Sequence, residues 1–166
     1  MKQRHMFLLP QHYLRVLAMG LALCAGGLAH AGNPAPYPGT LSVKSGYGFG
    51  ETVARLEESI ELNKMGLVAK ASASAGATGR GIKIAGNMVL MVFRNDYAVR
   101  MLAASIPAGI EAPVRIYVTE DADGKATITY RTPSAVFAPY GNSQLDAMAG
   151  ELDPIFDKIV REAITK

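Results

Sequence analysis

In the first part of the chain the spacing of apolar residues changes after residue 47, from alternation to a helical period. Residues 41–47 alternate between apolar and polar side chains, which predicts a strand. From residue 49 to residue 60 apolar positions recur every three to four residues, and this spacing predicts an amphipathic helix. We expect Gly66 to end that helix in the left-handed cap position.

Shorter alternating runs and a loop come next. Residues 67–74 alternate between the two faces of a predicted strand. One face is rich in alanine, and its side chains are small enough for a helix to pack closely over them. Residues 75–81 are rich in glycine and predict a loop. Residues 87–93 are apolar on both faces. Such a run predicts a central strand that is covered on two sides, or one that a partner subunit covers.

The middle of the chain predicts a short helix followed by a hairpin. Residues 97–105 have helical spacing and are followed by Pro107. Residues 113–119 and 125–131 alternate, and the loop between them contains Asp123-Gly124. A short loop with Asp-Gly between two alternating runs is a strong signal for an antiparallel hairpin.

The end of the chain predicts a long helix, since an apolar stripe runs from Leu145 to Ala163. Asp153-Pro154 interrupts it, either as a kink or as the start of a second helix that Asp153 caps. The predicted order is β-α-β-β-(short α)-β-β-α. This order favours an α+β fold of two layers, in which helices cover one face of an antiparallel sheet.

The first 31 residues are typical of an export signal. Three basic residues precede the apolar run 16–23, and Ala29-His30-Ala31 is a small-x-small cleavage pattern. The apolar run is shorter than the roughly 20 residues that cross a bilayer. We therefore divide the chain into a signal peptide (1–31), a proline-rich linker (32–39) and one α+β domain (40–166). Cleavage near Ala31 would place the protein in the periplasm or outside the cell.

Cleavage also changes the charge of the chain. The 166 residues contain 17 basic and 14 acidic side chains, and three basic ones leave with the signal, so the mature domain is neutral. A neutral domain argues against a nucleic-acid partner. No later apolar run predicts an integral membrane segment. His5, His12, Cys24 and His30 all leave with the signal, which excludes nucleophile–histidine catalysis in the mature chain.

We expect no metal and no cofactor. Met88 and Met91 are three residues apart on a strand, so they point to opposite faces and cannot grip one ion. The run 121–124 resembles the start of a calcium loop but lacks the distal glutamate, and we interpret it as the hairpin turn. Acid–base chemistry by tyrosine, lysine or carboxylate groups remains open.

Four side chains are candidates for ligand binding. Arg80 and Lys83 lie in and after a glycine-rich stretch whose backbone N–H groups suit an anion, although a flexible connector is the favoured interpretation of that stretch. Tyr130 shares parity with Ile128 and is expected to face inward, and a cleft beside Arg94 is one place for its hydroxyl. Ordinary cross-strand packing is the alternative.

Several motifs together are similar to the domain-of-unknown-function 302 family. They are Phe49-Gly50-Glu51-Thr52-Val53-Ala54-Arg55-Leu56, Met65-Gly66-Leu67-Val68, Ala112-Pro113-Val114-Arg115-Ile116-Tyr117-Val118, Asp123-Gly124-Lys125 and Thr129-Tyr130-Arg131-Thr132-Pro133-Ser134. The resemblance covers roughly residues 40–164. It implies a compact sheet-and-helix domain, related to the TATA-binding-protein-like fold and often dimeric, without an established activity.

The chain departs from this resemblance at one turn. Where the family commonly ends an apolar strand with Phe-Gly-x-Pro, this chain has Phe93-Arg94-Asn95-Asp96. We expect an exported, non-catalytic module that binds a small molecule or a protein, as a homodimer. The alternatives are an enzyme that uses tyrosine, lysine or carboxylate groups on a small organic substrate, and an envelope-associated structural protein.

Overall fold

A computed structural model describes residues 37–165. The predicted signal peptide and most of the predicted linker lie outside these residues. The described chain contains five strands and five α-helices, with 3-10 turns at Ile106–Glu111 and Ala138–Tyr140. In chain order the elements are β1 (Thr40–Gly48), α1 (Phe49–Leu62), β2 (Gly66–Ala71), α2 (Ala73–Thr78), β3 (Asn87–Phe93), α3 (Asn95–Ala104), β4 (Val114–Glu120), β5 (Lys125–Arg131), α4 (Pro133–Phe137) and α5 (Ser143–Ile164).

The five strands form one antiparallel sheet in the order β1-β5-β4-β3-β2. Helix α1 contacts every strand, and α5 packs along α1 and reaches β1. Among the strand residues that face these helices, Leu90, Ile116 and Ile128 are fully buried. The predicted α+β fold, with an antiparallel sheet and helices, is confirmed.

The opposite face of the sheet carries a different set of side chains, and we call it the open face. Register places Val89 of β3 beside Tyr117 of β4, which pairs with Thr129 of β5, which pairs with Ser42 of β1. Tyr117 is 41% exposed, and Val89 and Thr129 are half-buried. The described residues cover one side of β3, so the first predicted alternative, cover on both sides by this chain, is wrong for residues 37–165, and cover by a partner subunit stays a prediction.

The predicted cap at Gly66 is also wrong, because the left-handed residue is Lys64, with a φ of 58°. The N–H of Lys64 bonds to the carbonyl of Glu61, and the N–H of Met65 bonds to that of Ile60. These two bonds define a Schellman ending, which usually has glycine where this chain has Lys64. Gly66 instead begins β2, and a Cβ there would lie 3.1 Å from the carbonyl oxygen of Phe93.

Strand β2 does not carry a helix on its alanine-rich face. The register shifts between Leu67 and Ala69, so one extra residue bulges out of the pairing with β3. A bulge reverses the alternation beyond it. Leu67 consequently packs against the core, whereas Ala69 and Ala71 pair with Met91 and Val89 on the open face.

The predicted loop at residues 75–81 begins as a helical turn. Strand β2 ends at Ala71, earlier than expected, and the hydroxyl of Ser72 accepts a hydrogen bond from the N–H of Ala75 at 3.0 Å. A serine side chain in this position satisfies a helix donor that has no partner within the helix. The capping serine therefore starts α2 in spite of the glycines that follow.

Helix α5 runs through Pro154 without a break. Asp153 does not cap a new helix, so that alternative is wrong. Its carboxylate instead accepts two hydrogen bonds from Ser134 of α4, from the backbone N–H at 2.9 Å and from the hydroxyl at 2.6 Å. The hairpin of β4 and β5 is confirmed, with Gly124 at a φ of 77° in its turn. Among residues 37–165, no helix has the length and apolar character that crossing a membrane requires.

Candidate functional site

An apolar pocket opens where β3 ends and α3 begins. Its free interior is about 30 Å³, enough for about two water molecules. All of its lining residues except Arg94 are apolar or aromatic. They come from β3, α3, β4, α4, α5 and the segments beside them: Met65, Val92, Phe93, Arg94, Tyr97, Ala98, Met101, Ala112, Val114, Phe137, Met148, Leu152 and Phe156.

Three methionines give this pocket its adaptability. Met65, Met101 and Met148 line the same small space, and each is less than 10% exposed. Methionine has three rotatable bonds and a polarizable sulfur, so it can rearrange around apolar groups of different shapes. We call this space the methionine pocket.

Arg94 stands at the pocket and is held by its neighbours. Its guanidinium donates to both carboxylate oxygens of Asp96, at 2.7 and 3.0 Å, and lies 4.2 Å from the ring centroid of Tyr97. The hydrogen bond from Arg94 lowers the pKa of Asp96, and the same bond raises the pKa of Arg94. Both groups are therefore ionised at neutral pH.

A second ion pair lies beside the first. Arg100 donates to both carboxylate oxygens of Glu151 at 2.7 Å, and its guanidinium lies 5.4 Å from the ring centroid of Tyr97. The hydrogen bond from Arg100 lowers the pKa of Glu151. Tyr97 thus interacts with two cations whose charges are already balanced by carboxylates, which suits a fixed pocket edge better than proton transfer.

The structure separates the four predicted site residues. Arg94 lines the methionine pocket, but Tyr130 does not. Tyr130 is 4% exposed and its ring lies 6.4 Å from that of Phe156, with 28° between the ring planes. Burial raises the pKa of Tyr130, and the nearby charges of Asp157 and Asp153 add to the increase. Its predicted inward orientation is confirmed.

Arg80 and Lys83 are both exposed in the segment after α2. The backbone N–H groups of Arg80, Gly81 and Ile82 bond to carbonyls of Ala77 and Thr78. These N–H groups close the end of α2, so they are already engaged and do not form a free cradle for an anion.

Sequence reasoning missed Tyr97 and the three pocket methionines. The sequence does contain a signal for Tyr97. It lies three residues after Arg94 at the start of a helix, and side chains at that spacing are neighbours on a helix surface. The methionines had none, since Met65, Met101 and Met148 meet only in the folded chain. Residues 37–165 contain no group of three or more histidine, cysteine, aspartate or glutamate side chains that could hold a metal ion.

The fold and pocket define a small α+β domain with one helix-covered sheet face and an adaptable apolar cleft at a sheet end. A family model described as "Domain of unknown function DUF302" matches residues 41–163. The chain belongs to this family, as its motifs indicated.

A solved structure has the same fold. It is the crystal structure of an uncharacterized conserved DUF302 protein from Bacillus stearothermophilus. The two chains share 20% sequence identity, and the alignment covers 76% of this chain and 98% of the other, with a TM-score of 0.68. A comparison with curated protein sequences gave no match.

Proposed function

We propose that this chain is an exported, non-catalytic binding module, and that the methionine pocket takes the apolar end of a small organic molecule. The observation that carries the proposal is the convergence of Met65, Met101 and Met148 on one open cleft. A well-packed core has few voids larger than a water molecule. Flexible side chains around such a space allow it to widen for an apolar group.

The chemistry at the pocket edge favours binding over catalysis. Asp96 and Glu151 are each held by an arginine that lowers the carboxyl pKa. A carboxylate in that state is a poor general acid or base at neutral pH, because catalysis is best when the pKa lies near the working pH. Arg94 and Tyr97 instead offer a polar rim for an apolar ligand.

Binding of an apolar probe tests this proposal. N-phenyl-1-naphthylamine gains fluorescence in apolar surroundings, and we expect saturable binding to the purified protein. Ala98→Leu adds volume to the pocket wall and should weaken binding at least about tenfold, a loss of about 1.4 kcal/mol. Val99→Leu is the matched control, because Val99 is the next residue of α3 and is 59% exposed.

Equal binding by the two folded variants would contradict a site in the methionine pocket. Thermal unfolding of each variant shows whether a loss of binding reflects a loss of fold. Retained fluorescence in Ala98→Leu with an unchanged unfolding temperature would also reject the proposal.

We further propose that two copies associate through the open face. Val89 and Met91 lie on this face of β3 and are half-buried, and neither is packed against the core. Light scattering should report a dimer, and Met91→Asp should dissociate it. Leu62→Asp, at a 70% exposed position of α1, is the control. A monomer at high micromolar concentration would reject this assembly.

Export follows from the signal pattern of residues 1–31. Amino-terminal sequencing of the protein isolated from its own cell envelope should begin at Gly32. A natural product that begins at Met1 would overturn both the cleavage and the placement.

A further inference from the structure

A second groove lies at the end of the β4–β5 pair, and it is separate from the methionine pocket apart from one shared wall residue, Val114. Strands β4 and β5 are paired up to Ile116 and Tyr130. Beyond that point β4 continues alongside β3, and β5 continues alongside β1. The two central strands therefore separate at this end and leave a groove of about 240 Å³.

An arginine follows the last pair on each side of the groove. Arg115 comes from β4 and Arg131 from β5, and both line the groove together with the hydroxyl-bearing Thr40 and Thr129. Antiparallel register would place these two arginines opposite each other, one position beyond the pair of Ile116 and Tyr130. Like charges in neighbouring cross-strand positions repel, so the fold gains nothing from this arrangement.

Within residues 37–165, neither arginine has a carboxylate within 4.0 Å, whereas Arg94, Arg100 and Arg161 each have one. Arg131 donates from Nη2 to the carbonyl of Ala135 at 2.7 Å, which holds its guanidinium in place. Its buried Nε has no hydrogen-bond partner among the described residues. The hydrogen-bonding capacity of Arg131 is thus only partly used.

One carboxylate in the groove wall restricts the charge of a ligand. Glu111 lines the groove, and its Oε1 accepts a hydrogen bond from the hydroxyl of Tyr140 at 3.0 Å. Two guanidinium groups and one carboxylate leave one net positive charge, which favours a ligand with one negative charge over a dianion. Val114, Val136 and the predicted site residue Tyr130 complete the wall and suit an organic body.

We infer that this groove binds a small organic molecule carrying a single carboxylate, which Arg115 and Arg131 hold between them. Arginine matches a carboxylate because its parallel N–H groups can donate to both oxygens. Thr40 and Thr129 line the same groove, and the Thr129 hydroxyl is already hydrogen-bonded to that of Ser42 at 3.0 Å. The proposal does not depend on the ligand of the methionine pocket.

Sodium benzoate is the probe, and titration calorimetry with the purified protein is the measurement. We expect saturable binding of benzoate and no binding of benzyl alcohol, which has the same ring without the charge. Arg115→Gln should weaken benzoate binding at least about tenfold. Arg131→Gln should do the same, and Arg115→Gln remains informative if loss of the Ala135 contact destabilises the other variant.

Lys44→Gln is the matched control, because Lys44 is exposed on β1, opposite Thr127, and does not line the groove. It removes one positive charge from the sheet and should leave benzoate affinity unchanged. An equal loss in Lys44→Gln would show general charge attraction and overturn the site. Unchanged affinity in a folded Arg115→Gln would overturn it as well. Inorganic phosphate that binds as tightly as benzoate would overturn the assignment to a single carboxylate.

Discussion

The two faces of the sheet are built from the same strands but have opposite properties. On the covered face, Ile116 of β4 is completely buried beneath the helices. On the open face, the next residue, Tyr117, is 41% exposed. The covered face is apolar apart from a few residues such as Ser45 of β1 and Lys70 of β2, whereas the open face passes from the apolar side chains of β3 to the hydroxyls of β5 and β1. The stability of the single chain is therefore concentrated on one face, and the other carries the residues of the proposed dimer contact and the arginines of the proposed groove.

Truncation of two neighbouring residues of β4, one on each face of the sheet, tests this difference most directly. Ile116→Ala should lower the free energy of unfolding by about 2–5 kcal/mol, because it leaves a cavity in the core. Tyr117→Ala should cost less than about 1 kcal/mol. Urea unfolding at a fixed protein concentration measures both. Similar losses in the two variants would mean that the open face is also part of the stabilising core.

The contact between α1 and α5, the two helices that cover the sheet, should make a smaller, pH-dependent contribution to the free energy of unfolding. Glu162 of α5 accepts hydrogen bonds at one carboxylate oxygen from Ser59 at 2.8 Å and Asn63 at 2.6 Å. These bonds, first that from Ser59, lower the pKa of Glu162 in the folded state. Stability from this group is therefore present above the unfolded-state pKa and is lost as the pH falls through the lower folded-state pKa.

Unfolding temperatures measured between neutral and strongly acidic pH test this expectation. The decrease on acidification should be smaller in Glu162→Gln than in the unchanged protein, because the variant cannot be protonated there. Asp146→Asn, an exposed change in the first turn of the same helix, serves as the comparison. An identical decrease in the Glu162 variant and the unchanged protein would show that these contacts do not connect the helices in solution.

On the open face, removal of a binding group should increase stability. Arg115→Gln relieves the repulsion between Arg115 and Arg131 and should raise the free energy of unfolding by about 0.2–1 kcal/mol. Urea unfolding at low salt measures it, and added salt should reduce the gain because it screens exposed charges. A loss of stability would show that Arg115 has a structural partner and would remove the contrast between the faces.

A similar small gain in the free energy of unfolding is expected at Lys64, in the turn between α1 and β2. Lys64 adopts the left-handed conformation, which costs an ordinary residue about 1–2 kcal/mol. Lys64→Gly removes this cost but makes the unfolded chain more flexible, so we expect a net gain of roughly 0.5 kcal/mol. Lys64→Ala, which keeps a Cβ, should give no such gain in the same urea experiment.

The periodicity of apolar residues predicted most of the fold. Burial of one face makes apolar residues recur every two positions in a strand and about every 3.6 positions in a helix. The hairpin and the long final helix have this signal, whereas the strand at residues 87–93 was predicted from an apolar run without alternation. The bulge after Leu67 has none, since one extra residue reverses the faces without changing the composition. Gly66 drew the cap prediction away from Lys64, which is the left-handed residue. Gly66 instead lies close to Phe93, where a Cβ would be 3.1 Å from the carbonyl oxygen.

The candidate sites were less predictable, because they depend on side chains that meet from distant parts of the chain. Arg94 was predicted only as the neighbour of a cleft for Tyr130, and it lines the methionine pocket without Tyr130. The methionine pocket joins residues 65, 101 and 148, and no local spacing relates them. The second groove arises where β4 and β5 separate, because β4 continues its pairing with β3 there and β5 continues its pairing with β1. Arg115 consequently looked like an ordinary surface residue in the sequence.

The two outer strands share one irregularity that the inner pairs lack. Register shifts occur between Leu67 and Ala69 in β2 and between Ser45 and Gly48 in β1. A straight outer strand offers a template on which further chains can polymerise into fibrils, and a bulge interrupts that template. These shifts limit the regular run of β1 to Thr40–Ser45 and that of β2 to shorter pieces, so growth by strand addition is restricted most at the β2 border.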